Sequence, residues 1–68
     1  MKAQHDLITN VALYLQVNVY TLFHQASALH LGFEDDKVAR AEYELFITHG
    51  YVPKHVIEYC ELIVCSME

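Results

Sequence analysis

Apolar residues recur at helical spacing along most of the chain, and asparagine, glycine and proline divide that pattern into segments. Ile8, Val11, Ala12, Leu15, Val19, Leu22, Ala26 and Leu29 stay in phase on one helical face, which predicts helix from about Gln4 to Leu31. Unbroken, that helix would measure about 40 Å at the standard rise. A globule of 68 residues should be only about 28 Å across. A break is therefore expected, and Gln16 to Val19 supplies it, with two β-branched residues around Asn18, a preferred N-cap residue. The alternatives are one long helix paired with another chain, or a strand through Leu15, Val17, Val19 and Thr21, which would lack a partner strand.

The second half is punctuated more clearly. Glu34, Asp35 and Asp36 open a helix with the charges its N-terminus prefers, and Gly50 caps it after His49. With Glu34 as N-cap, Phe33 and Val38 have the spacing of a hydrophobic staple, and Val38, Ala41, Leu45 and Phe46 form the inner stripe. Arg40 and Glu44 fit an exposed i,i+4 pair. Pro53 sits at a first helical position, and Val56, Cys60, Ile63 and Met67, widened by Ile57 and Val64, mark a last helix. With only Gly50, Tyr51 and Val52 between them, these two helices should form a close helical pair. The fold class expected is all-α: a small bundle of three to four helices ending in a helical hairpin, as one domain over residues 1–68.

Residues 9–26 resemble a DNA-binding helix-turn-helix element. Val11 and Ala12 stand in its first helix, Leu15 and Val17 flank the turn, and Leu22 lies in its second helix. Gln16 occupies the turn position that normally holds Gly, and Gln25 a position that is usually apolar. The resemblance implies a reading face made of Val19, Tyr20, Phe23, His24 and Ser27, none of which is Lys or Arg.

Charge argues against that use. Four Lys and Arg against nine Asp and Glu leave a net charge of -5, and no cation lies between Lys2 and Lys37 to hold a phosphate backbone. Leu7 to Phe33 contains no Asp, Glu, Lys or Arg, so a membrane span has to be considered, but Asn10, Gln16, Asn18, His24, Gln25 and His30 would all need partners in lipid. A cytoplasmic protein is expected, without membrane association. Cys60 and Cys65, five residues apart on one helix, cannot reach each other and read as free thiols in a reducing compartment.

Catalytic and metal chemistry lack their parts. His49, His55 and Cys60 are spaced by six and five residues, which does not put two ligands on one helical face, whereas His55 and Glu58 do share a face. A Cys60 nucleophile would need a base, an orienting group and oxyanion donors that a core this small has little room to hold. No catalytic residue, cofactor, metal or small-molecule substrate is expected. His30 and His49 suit helix C-termini, and the Glu34, Asp35, Asp36 cluster suits a helix start.

More than half of the residues, 54%, are hydrophobic, more than a hairpin partner can cover. On the projection of one continuous helix, Leu13, Val17, Tyr20 and Leu31 lie on a second side. Together with Phe23 they are the expected interface, with a second copy of the chain or another protein as partner. The function expected is a small, non-enzymatic interaction or regulatory module, homodimeric. The alternative is a helix-turn-helix regulator that binds nucleic acid.

Overall fold

Four helices follow one another in the computed structural model, which describes residues 2–67. They are α1 (Lys2–Leu15), α2 (Val19–Leu31), α3 (Asp36–His49) and α4 (Lys54–Met67). The long amphipathic pattern of the first half is broken at Gln16. Gln16 takes the left-handed conformation, with φ of 60°. Its N–H donates to the Leu13 carbonyl and that of Val17 to the Ala12 carbonyl, a Schellman closure of α1 with Gln where Gly is usual. Two residues later Asn18 caps α2 from an extended backbone, its side-chain oxygen accepting from the Thr21 N–H at 2.8 Å. The break lets the chain fold back, and the molecule measures 32 × 26 × 20 Å, too short to contain the single helix considered above.

Gly32 closes α2 at φ 86°, its N–H donating to the Ala28 carbonyl, and Gly50 closes α3 at φ 69° in the same way onto Phe46. The N-cap of α3 is Asp35, not Glu34. Its carboxylate accepts from the N–H groups of Lys37 and Val38, at 3.0 and 3.3 Å. With the cap one residue later the expected staple is lost, and Phe33 is exposed. Asp36 follows as the first helical residue and accepts from both the Tyr20 hydroxyl and Arg40, so Arg40 pairs backwards and not with Glu44. At α4 the Pro53 carbonyl accepts the first helical hydrogen bonds, from Val56 and Ile57, which makes Pro53 the cap and Lys54 the first helical residue.

The core joins Ile8, Val11 and Ala12 of α1, Leu22, Phe23 and Ala26 of α2, Phe46 of α3, Val52 of the last turn, and Val56 and Cys60 of α4. Phe23 is fully buried at its centre, with its ring 5.3 Å from Phe46 and 6.1 Å from Tyr43. α2 packs against all three other helices, and α1 packs on α4. The backbones of α3 and α4 stay apart, and the inward face of α3 is Ala39, Glu42, Tyr43 and Phe46. Ala41 and Leu45, expected inside, are exposed, because Tyr43 takes the inner position to meet Tyr20 and Phe23.

Candidate interaction surface

One polar cluster lies where α2, α3 and α4 meet. Glu42 on the inner face of α3 points toward α4, where Nε2 of His55 lies 2.9 Å from its Oε2. The contact is an ion-pair approach and not an aligned hydrogen bond, and the second carboxylate oxygen, Oε1, is buried without a partner. His30, in the last turn of α2, stacks on the other side: its ring is 4.3 Å from that of His55 and within 8° of parallel.

Beside this stack the surface opens into a hollow of about 180 Å³ between α2 and α4, lined by Leu29, His30, His55, Glu58, Tyr59 and Leu62 over Ala26. Tyr59 is fixed across its floor, its hydroxyl donating to Oε1 of Gln25 at 3.2 Å. Burial, with a smaller contribution from the neighbouring Cys60, raises the phenol above its ordinary value. A second hollow of about 410 Å³ shares Glu58 and Leu62 and runs on to Glu61 and Cys65. The two adjoin along α4 at Glu58 and Leu62, the first lying between Leu29 and Leu62 and the second bordered by Glu58 and Glu61.

The residues expected to form a single interface are dispersed. Leu13 is 71% exposed and Leu31 lies at the surface, but at the far end of α2 from Val17, which is half-buried against the core. Tyr20 is half-buried, edge-on to Tyr43, and Phe23 is core and not surface. The projection that united them assumed a continuous helix, and the left-handed Gln16 redirects everything after it. The face implied by the helix-turn-helix resemblance is likewise occupied: Phe23 and Ser27 are buried, and His24 faces Glu34 and Asp36 at 3.8 and 4.0 Å.

Cys60 is buried in the core and Cys65 is exposed, both as free thiols. Burial, reinforced by the nearby Glu61 carboxylate, pushes the Cys60 thiol up to about 11, the opposite of what a nucleophile needs. Among the described residues no group of three or more His, Cys, Asp or Glu side chains is placed to hold a metal ion, and no helix is long and apolar enough to cross a membrane. The pairing of His30, His55 and Glu42 carried no sequence signal, since its members come from three helices. A scan against protein-family models finds no match, and searches of curated proteins and of solved structures find none.

Proposed function

We propose that the chain is a small non-enzymatic helical module that acts by binding protein, including a second copy of itself. The observation that carries this reading is the apolar surface left after the core is full. Among the described residues eleven large hydrophobic side chains remain at least 36% exposed, Leu13 and Leu29 among them at 71% and 65%. Isolated surface apolar residues are ordinary, and it is their number on so small a protein that supports the reading. Leu13 and Tyr14, adjacent near the end of α1 and both exposed, belong to the charge-free stretch Leu7 to Phe33, so two copies can meet through that end of α1 without bringing carboxylates together.

Sedimentation equilibrium of the wild type and of Leu13→Asp tests self-association. Leu13 is exposed, so the substitution leaves the core intact, which the same change at half-buried Val17 would not. A dimer that dissociates in the variant supports the reading; a wild-type monomer at micromolar concentration overturns its homodimeric part. Nucleic-acid binding has little support from the geometry, because the face that would enter a groove is packed on α3 and lined by acids. Salt-sensitive retardation of duplex DNA would reverse that ranking.

A further inference from the structure

The cleft between α2 and α4 differs in kind from the charge-free end of α1. Its apolar sides are Leu29 and Leu62, 65% and 63% exposed on two helices, above a floor fixed by the Tyr59–Gln25 hydrogen bond. Its rim on α4 carries Glu58, and Glu61, three residues on, borders the adjoining hollow that shares Glu58 and Leu62 with it. Neither makes an ion pair with any cation among the described residues. Lys54, one turn before Glu58, does not reach it, and Arg40 is already held on Asp36.

Charge decides what such a cleft accepts. A second copy packing two-fold and antiparallel along α4 (Lys54–Met67) would place its own Glu58 and Glu61 near the centre of the contact, against the same pair of the first copy. Like charges brought together in this way oppose association, and Lys54, at the start of α4, would lie at the end of such a contact, opposite Met67, and not against them. An anionic lipid surface is opposed for the same reason.

We infer that the α2–α4 cleft docks a basic amphipathic helix of a partner protein, with its apolar residues between Leu29 and Leu62 and its Lys or Arg side chains on Glu58 and Glu61. This is the helix-in-groove mode, in which apolar anchors supply affinity and the charged rim sets orientation and partner choice. The inference rests on the interaction-module reading but not on self-association, which uses another surface.

The test is an NMR titration of the isotopically labelled full chain with a synthetic Leu/Lys peptide as long as α4, its leucines at helical spacing. A Leu/Glu peptide of the same spacing is the control. The Leu/Lys peptide should shift the amides of Leu29, Tyr59 and Leu62, and the Leu/Glu peptide should not. Glu58→Gln combined with Glu61→Gln should weaken binding by about tenfold, as expected for two partly desolvated rim charges. Asp6→Asn with Glu44→Gln, the same change in net charge on exposed positions elsewhere, should alter it by no more than about twofold. Leu13→Asp should bind the peptide as the wild type does, which separates the cleft from the dimer surface. Equal loss in both double variants, shifts on other faces, or equal binding of the Leu/Glu peptide would overturn the assignment. So would shifts of Leu29 and Leu62 on simple dilution, which would make a second copy the occupant.

Discussion

His55 on α4 and Glu42 on α3 approach to 2.9 Å with their side chains only 18% and 15% exposed, and they tie together two helices whose backbones keep apart. Because the carboxylate is mostly out of water, replacing either partner leaves the other poorly solvated and not simply unpaired. Glu42→Gln and His55→Gln should each destabilise the protein by about 1–2 kcal/mol in urea unfolding at neutral pH. The double variant should lose less than the sum, with a coupling of about 1 kcal/mol. Strict additivity would show that the contact contributes nothing to holding α3 and α4.

The turn that separates α1 from α2 is built on a strained residue. An L-residue in the left-handed region costs about 1–2 kcal/mol, and glycine there avoids the cost while losing about 0.5–1 kcal/mol through its freer unfolded chain. Gln16→Gly should therefore stabilise the fold by about 0.5 kcal/mol, with an unchanged denaturant slope. Gly50→Ala, at φ 69° with open space around it, should do the reverse and cost about 1 kcal/mol. A loss of stability in Gln16→Gly would mean that the glutamine side chain makes a contribution beyond closing the helix.

These positions also show which parts of the fold can be read from sequence. Asn18, Gly50 and Pro53 act through their own backbones and neighbouring N–H groups, so the helix boundaries they set follow from local chemistry. The facing of α3 does not. A hydrophobicity pattern puts Ala41 and Leu45 inside and Glu42 outside, but Tyr43 is drawn inward by Tyr20 and Phe23, and Glu42 by His55, all on other helices. The sequence puts the cap of α3 at Glu34, but Asp35 takes it, and Asp36 beside it meets Tyr20 from α2. The interface drawn through Leu13, Val17, Tyr20 and Leu31 failed as one patch because helical phase does not carry across Gln16. The cleft itself was invisible in advance for the same reason as the histidine stack: its two sides lie on helices joined only through tertiary packing.

The two cysteines should differ sharply in reactivity. Cys60 is fully buried with its thiol pushed up to about 11, whereas Cys65 is exposed near the end of α4. A thiol-disulfide reagent at neutral pH should label one equivalent rapidly and the second only after denaturation. Cys65→Ser should abolish the rapid phase and leave the slow one. Two rapid equivalents would show that α4 opens readily from α1 and α2.

The contact between Tyr20 and Asp36 sets a pH window. The hydrogen bond from the Tyr20 hydroxyl is the main reason that the Asp36 carboxyl lies below its ordinary value of 3.8, and the nearby Arg40 and His24 add to it against some desolvation. The same bond is the main reason that the Tyr20 phenol lies above its ordinary 10.0. A lowered carboxyl contributes stability that is present above the unfolded value and lost as pH falls through the folded one. For the raised phenol the contribution is complete below 10.0 and is lost as pH rises through the folded value. The contact is thus fully in place across neutral pH, and Tyr20→Phe should be less stable than the wild type there. The difference should shrink on the acid side as Asp36 takes up its proton, and in strong base as Tyr20 would ionise. Urea midpoints for both proteins across the pH range, with absorbance titration of the phenols, measure this directly. A difference that stays constant through the acid limb would mean that the Tyr20 hydroxyl stabilises the fold by some route other than the Asp36 carboxylate.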